Sequence, residues 1–589
     1  MADAAATPDR DLDSIREARQ LARRARAAQA RLAELSQEQI DRIVDAVAAA
    51  AQAEVEPFAR LAVEETGYGN EADKIKKNRF AAETIYRFIQ PMRTVGVINR
   101  RESERIVEIA EPFGVVAAIV PSTNPTSTAI YKILVCLKAR CAVVLSPHPS
   151  AARSIIRVAD VLTRAALAAG APEGAVGCMT TVTQEGTQEL MRSREVALIL
   201  ATGGLGLVRA AYSAGKPAYG VGPGNAPTYI ERSADIAKAV TDIITGKTFD
   251  NGVLCSSENS VVVDEAIAGE VRRAFEGQGG RFLDPQEADT LATVLVTPQR
   301  LPNPELVGKS AVEIAGRVGI DVGRDTRVLI APLTGVGRDY PLSMEKLCPV
   351  LSFYEVPDWR AACTRCKEIL AYGGMGHTMS IHSGDEGIIL EFGLQKPAFR
   401  IVVNSPTTLG SIGMTTGLAP SMTLGCGGWG GNITSDNITP RHLLNVKRLA
   451  YETRPAPRSS PDGSPGPEPA PRLPEAPPPS VSRGVDPTVL SERIESFLAS
   501  RGIAGTTAPA PADPTPAPPP ASPPAEPPAP TPEPPPPPVT PVEFVCEDDV
   551  RQALRERRQI LVDDGTIITP AARDLGEAQR AFLYASLPR

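Results

Sequence analysis

Of the 57 prolines in this chain, 31 lie within residues 451–541, and Pro534 to Pro538 run without interruption. Proline has no backbone N–H and fixes φ, so helices and sheets of any length are excluded from that region. The composition predicts an extended linker there, partly polyproline II. The linker separates a globular unit ending near Tyr451 from a short folded tail over 542–589. It is interrupted once, at 485–502, which leaves two Pro-rich pieces, 452–484 and 503–541.

The 589 residues leave room for three or four domains of roughly 100–200 residues each. A net charge of −7 with a pI near 5.5 argues against nucleic acid, which favours a basic face. No apolar run approaches the ~20 residues a membrane span needs. Asp3, Asp9, Asp11 and Asp13 open the chain with no apolar core of a signal peptide, so export is not expected. Nine scattered cysteines in an acidic protein fit reduced thiols. A soluble intracellular protein is the expectation.

Within 1–451 the pattern begins with helices, over Leu12–Leu35 and Gln37–Ala51, where apolar residues recur three and four apart. From Gly114 it changes. Gly114–Val120, Cys141–Leu145, Val196–Leu200 and Pro227–Ile230 read as buried parallel strands, with Lys132–Ala139, Ser150–Ala169 and Gly204–Ala214 as helices between them. This alternation predicts an open α/β sheet, which binds nucleotides beyond the carboxyl ends of its strands. Thr202-Gly203-Gly204 follows a strand and opens a helix, so its N–H groups suit a pyrophosphate or a nicotinamide. An ordinary strand-to-helix turn reads the same way.

One thiol stands out. Cys255 sits in Lys247-Thr-Phe-Asp-Asn-Gly-Val-Leu-Cys-Ser-Ser-Glu-Asn-Ser260, after a Gly252 turn and ahead of an apolar strand. A thiolate so presented attacks carbonyl carbon and later leaves from a thioester. A buried structural cysteine is the alternative.

Ordered motifs then carry a resemblance across about 1–450. They are Glu111–Ile130 (Glu-Pro-Phe-Gly-Val-Val-Ala-Ala-Ile-Val-Pro-Ser-Thr-Asn-Pro-Thr-Ser-Thr-Ala-Ile), Ser146-Pro-His-Pro149, Ala201-Thr-Gly-Gly204, Gly220–Pro227, the Cys255 segment, Gly376-His-Thr378 and Thr423–Asn432. Together they resemble the acylating branch of the aldehyde dehydrogenase superfamily. That branch includes the aldehyde dehydrogenase half of bifunctional aldehyde–alcohol dehydrogenases and the CoA-acylating propionaldehyde and acetaldehyde dehydrogenases. The resemblance implies an α/β fold of two parts. A nucleotide-binding domain takes 1–225 with the N-terminal helices and is completed by about 405–451. A catalytic domain takes 226–404.

The resemblance also implies roles. Cys255 forms a thiohemiacetal, hydride passes to the nicotinamide, and an acyl thioester remains. The Asn124 side-chain amide and the Cys255 N–H serve as oxyanion donors. Thr202, Gly203, Gly204, Ser146, His148 and Glu345 contact the cofactor, Glu345 through the nicotinamide ribose. His377 faces the CoA thiol or the substrate. No metal is implied. Hydrolytic relatives carry a glutamate base in a Glu-Leu-Gly-Gly segment; the matching Tyr219-Gly-Val-Gly-Pro-Gly-Asn225 has no carboxylate. A general base contributes roughly 10²–10⁴-fold, so hydrolysis is expected to be slow and coenzyme A to take the acyl group. Glu258 is a poor substitute. Ser-Pro-His-Pro at 146–149 lacks the acidic residue that favours NAD over NADP, so NAD is preferred with NADP still open. Cys363-Thr-Arg-Cys366 has metal spacing, but a structural zinc needs four ligands and no second pair follows.

The tail points to a location. In Val485–Gly502, Asp486 is a helix cap, Pro487 fits the first helical position, and Leu490, Ile494, Phe497 and Leu498 form one apolar stripe. A short tethered amphipathic helix resembles the encapsulation peptides of bacterial microcompartments, and 542–589 resembles a small motif appended to some proteins of those shells. Docking back on its own enzyme is the alternative for the helix. The reading is a short-chain aldehyde dehydrogenase, acting on propionaldehyde or acetaldehyde, homo-oligomeric, in a microcompartment of a bacterial cytoplasm. Its partners are shell or cargo proteins reached through 485–502, with no nucleic acid and no membrane. A sulfoacetaldehyde enzyme, a hydrolytic dehydrogenase and a non-catalytic scaffold are the competing readings.

Overall fold

The computed structural model describes residues 7–454 and 542–584, apart from 543, 557, 563–565 and 580. The candidate helix 485–502 and both Pro-rich linkers lie outside the described residues. Two units are present, and each is taken by itself.

The first unit is organised by Val115–Val120, six apolar residues all buried because the strand is covered on both faces. It lies third in a parallel five-stranded sheet, ordered Val176–Cys178, Val143–Pro147, Val115–Val120, Val196–Thr202, Ala218–Val221. The N-terminal helices cover it. Gln37–Ala53 starts at a Ser36–Gln39 capping box and buries Ile40, Ile43, Val44, Val47, Ala48 and Ala51, an i, i+3, i+4 stripe. Thr7–Ala33 turns Ala18, Ala22, Ala25 and Leu32 inward.

Two expectations are corrected here. The helix predicted over Lys132–Ala139 begins earlier and spans Pro125–Lys138. Its first turn, Pro-Thr-Ser-Thr, has turn-like composition, yet Pro125 suits the first helical position. The strand at Pro227–Ile230 belongs to the other sheet, and the edge strand of the first is Ala218–Val221, hidden by its glycine. The chain crosses between sheets at Gly222–Asn225, and an apolar run alone carries no record of which sheet it joins.

The second sheet has seven parallel strands in the order Gly280–Phe282, Val328–Pro332, Val350–Val356, Glu258–Asp264, Ala226–Ile230, Met379–His382, Ile401–Val403. Helix Trp359–Tyr372 packs on it with Cys363 and Cys366 on its buried face, as their i, i+3 spacing predicts. All nine cysteines are free, and no metal-holding cluster occurs among the described residues. A three-stranded antiparallel sheet joins Gly96–Arg101 and Ile106–Pro112 to Leu444–Ala450. No described helix is long and apolar enough to cross a membrane.

The second unit repeats one motif. Phe544–Val545, helix Glu547–Arg555 and Ile560–Val562 are followed by Ile567–Ile568, helix Pro570–Ala578 and Phe582–Tyr584. Corresponding strands of the two repeats pair in parallel, around a core of Val545, Val550, Ala553, Ile560, Val562, Ala572, Ala581 and Phe582.

Candidate active site

Four adjacent strands of the first sheet end at one place. Val115–Val120 leads to Asn124, Val143–Pro147 to His148, Val196–Thr202 to Gly203 and Gly204, and Ala218–Val221 to Gly222. A cavity of about 610 Å³ opens there, lined by Asn124, His148, Thr202, Gly203, Gly204, Cys255 and Glu345. Cys255 reaches it from the second sheet. Helix Ile236–Thr248 stops, Asp250, Asn251 and Gly252 take φ of 49°, 53° and 73°, and the chain reverses before strand Glu258–Asp264. Three successive left-handed residues make that reversal tight, and buried Val253 and Leu254 pin the loop beneath the thiol.

Burial, Glu345 and Cys426 push the Cys255 thiol up to about 12, so the resting group is protonated. A histidine lies beside it. His377 Nε2 lies 3.2 Å from Cys255 Sγ, and Nδ1 lies 2.9 Å from Thr378 Oγ1. Burial and Arg400 pull the imidazole down to about 3, so it is neutral. With Nδ1–H donated to Thr378, the Nε2 lone pair faces the thiol. The guanidinium of Arg400 donates to His377 O at 2.8 Å and holds the backbone of this pair. His377 therefore sits behind the nucleophile and does not line the cavity.

The segment that lacks a carboxylate runs across the same loop. A Cβ on Gly224 would collide with the Cys255 carbonyl oxygen, so no side chain fits at that position. The Gly224 N–H donates to Glu345 Oε1 at 2.9 Å. Burial raises the Glu345 carboxyl to about 8. Glu258, three residues past Cys255, points elsewhere: its oxygens accept from Thr407 N–H at 2.5 Å and Thr408 Oγ1 at 3.2 Å.

Of the opposite wall, only Asn124 was read from the sequence. Asn124 Oδ1 accepts from Lys77 Nζ at 2.6 Å, and its Nδ2 donates to Thr123 Oγ1 at 3.1 Å. Asp250 pairs with Lys77 and, at 3.0 Å, with Lys74, all three buried. Helix Glu71–Arg79 is dense in charge and reads as solvated; only the i, i+3 spacing of Lys74 and Lys77 hinted at a shared inward face.

The cofactor side fits a dinucleotide. The Thr202 hydroxyl is buried without a partner at the strand end, and Gly204 precedes helix Leu205–Tyr212 with no side-chain cap. Free N–H groups at that helix start suit a pyrophosphate. Among the described lining residues Glu345 is the only carboxylate, and there is no lysine or arginine. Ser146 does not line the cavity: it is buried, with its hydroxyl 2.8 Å from Thr187 Oγ1. It ends its strand facing a neighbouring helix, and His148, two residues on, takes the exposed place.

Comparison with known proteins agrees with this geometry. Over 442 residues the chain is 42% identical to the bifunctional aldehyde-alcohol dehydrogenase of Escherichia coli, covering 74% of this chain and 50% of that one. It thus spans about half the length of the bifunctional relatives it matches. A crystal structure of an acetylating aldehyde dehydrogenase from Geobacillus thermoglucosidasius is 49% identical, with TM-score 0.75, covering 76% of this chain and 99% of that one. A propionaldehyde dehydrogenase from the Clostridium phytofermentans fucose utilisation bacterial microcompartment is 29% identical, with TM-score 0.67, covering 74% and 97%. The pattern of the aldehyde dehydrogenase family matches residues 7–419, which contain every residue of the site, and the chain belongs to that family.

Proposed function

We propose that this chain is a CoA-acylating aldehyde dehydrogenase, converting a short aldehyde, CoA and NAD⁺ to acyl-CoA, NADH and a proton. The observation that carries the reading is Gly224. The segment where hydrolytic relatives hold their base carries no carboxylate here, and at its Gly224 the backbone lies against the Cys255 carbonyl with no space for a side chain.

In the resting site the proton stays on sulfur, with the thiol at about 12 and the imidazole at about 3, and His377 Nε2 takes it only as the C–S bond forms. The oxyanion is received by the Asn124 Nδ2–H and the Cys255 N–H. Thr202, Gly203 and Gly204 would hold the dinucleotide, whose nicotinamide would accept the hydride. Cys255 keeps the acyl group as a thioester until the CoA thiol replaces it and the cysteine leaves. Glu345 Oε2, free of the Gly224 contact, is the group placed to meet the nicotinamide ribose. NAD is preferred over NADP because no lining cation awaits a 2′-phosphate. The same absence favours propionaldehyde or acetaldehyde over an aldehyde bearing a sulfonate.

The proposed setting is a microcompartment of a bacterial cytoplasm, with a homo-oligomeric enzyme whose 485–502 segment meets shell or cargo proteins. A structural neighbour from such a compartment supports it. The test of activity is NADH formation from propionaldehyde and NAD⁺, with and without CoA, on wild type and Cys255→Ala. Sustained turnover only with CoA, lost in the variant, is expected. Equal turnover without CoA would mean that water resolves the thioester.

A further inference from the structure

We propose that Lys77, held by Asp250, is a positioning residue that fixes which way round the Asn124 carboxamide faces. The inference rests on the reading of Asn124 as an oxyanion donor and adds what keeps that donor aimed.

A carboxamide is nearly symmetric in shape, and a half-turn exchanges its oxygen and its NH2. Only the NH2 serves a developing oxyanion; the oxygen would repel it. Some neighbour must therefore break the symmetry. A lysine Nζ does so when charged, because an ammonium has three donors and no acceptor; burial pulls Lys77 down to about 7, and the Asp250 carboxylate it touches favours keeping the proton on. Lys77 Nζ lies 2.6 Å from Asn124 Oδ1. A flipped amide would set N–H against N–H in a buried place. The second contact of Asn124, to Thr123 Oγ1, does not choose, since a hydroxyl donates or accepts equally well.

Lys77 is itself fixed from below. Asp250 Oδ2 accepts from Lys77 and from Lys74, and Oδ1 accepts from the Asn70 N–H at 2.9 Å. The Asp250 N–H donates to Asp73 Oδ2 at 2.9 Å. Gly69 has φ of 72°, and a Cβ there would collide with the Asp250 carboxylate, so backbone closes the remaining side. The carboxylate cannot swing away.

Asp250 also opens the left-handed turn that delivers Cys255 five residues later. One carboxylate thus ties the oxyanion donor to the loop that carries the nucleophile. Fold stability alone does not call for this arrangement. Lys74 already pairs with Asp250, and burying a further lysine costs desolvation that an apolar side chain would avoid. Lys77 adds the contact to Asn124, which Lys74 does not make.

The test is a double-mutant cycle in the full chain: Lys77→Met, Asn124→Ala and the pair. Lys77→Met leaves Lys74 with Asp250, a matched buried pair. Three quantities are read: the single-turnover rate of NADH release with propionaldehyde, the KM for NAD⁺, and the rate of Cys255 alkylation by iodoacetamide. Loss of one oxyanion donor costs about 10²–10³-fold in rate. Lys77→Met, which frees the carboxamide both to turn over and to drift from its aim, is expected to slow acylation by about 10–100-fold. NAD⁺ KM and alkylation should stay within about twofold, a margin far below that loss. In the Asn124→Ala background the same substitution should cost less than about twofold, because a residue acting through another has nothing left to act on.

Effects that multiply would overturn the proposal, as would parallel loss of alkylation, which marks collapse around Cys255. Full acylation by Asn124→Ala would instead overturn the oxyanion reading and the role of Lys77 with it. Should Lys77→Met not fold, Lys77→Gln enters the same cycle, because its amide both donates and accepts and so removes the bias. Asn124→Ala slow with Lys77→Gln at wild-type rate would equally overturn the proposal.

Discussion

The two walls that meet at Cys255 are built differently. On one side stand Gly222–Asn225, His377 and Glu345: backbone, a neutral imidazole and a carboxyl raised to about 8. On the other stand Lys74, Lys77, Asp250 and Asn124, joined by buried ion pairs. The first wall holds groups whose protonation can change during a reaction. The second spends buried ionisable groups on holding one amide still, with the Asp250 carboxylate opposing the burial that pulls Lys77 down to about 7. Chemistry and aim are thus assigned to different parts of the chain, and variants on each wall should fail in different ways.

The largest effect is expected at His377. Removing a general base costs roughly 10²–10⁴-fold, so His377→Ala should slow NADH release within that range. The thiol, pushed up to about 12, would then deprotonate only through solvent. Acylation in the variant should rise with pH about tenfold per unit up to pH 10, whereas wild type is flatter. The pH profile of single-turnover acylation checks this. Equal slopes in the two proteins would remove His377 from the first wall.

How much of each wall was legible follows from the same division. Cys255 and the Gly220–Asn225 segment stand out because nucleophile presentation and close backbone approach restrict which residues fit. Lys77 does not stand out. In Glu71–Arg79 it reads as one of several solvated charges, and its burial depends on Asp250, far away in sequence. His377 was seen, but its contact with the Cys255 thiol was not, because a motif names a residue and not the atom it touches. Ser146 was assigned to the cofactor by position in a motif; its hydroxyl instead meets Thr187. The strand at Ala218–Val221 was masked by the glycine that lets it pack against Val208 and Tyr212. The alternation of strands and helices was readable, while the sheet each strand joins depends on crossings such as Gly222–Asn225.

Gly224→Ala sharpens the comparison at an intermediate size. Its Cβ meets the Cys255 carbonyl, a backbone atom, so the loop must shift. A displacement near 1 Å costs on the order of 10²-fold. The expected result is about 10²-fold slower acylation, with a rise in NAD⁺ KM because the Gly224 N–H holds Glu345. Wild-type rates would show that the loop yields and that backbone approach does not define this wall.

The smallest effect separates two carboxylates. Glu258 is three residues from Cys255 and outside the cavity; Glu345 is distant in sequence and inside it. Burial raises the Glu258 carboxyl from 4.5 to about 7. A carboxyl raised on folding stabilises while protonated: that contribution is complete below about pH 4.5 and is lost as pH climbs through about 7. The loss is at most about 3 kcal/mol. Glu258→Gln keeps an oxygen for the Thr407 N–H and an NH2 for the Thr408 hydroxyl, and it carries no charge to desolvate. Acylation should be within about twofold of wild type, since the side chain touches neither thiol nor cavity. Between pH 6 and 8.5 the wild-type unfolding midpoint should fall by a few degrees more than that of the variant. A variant that acylates at one hundredth of the wild-type rate would instead give Glu258 a part in the reaction, and the first wall would extend beyond the groups that meet at Cys255.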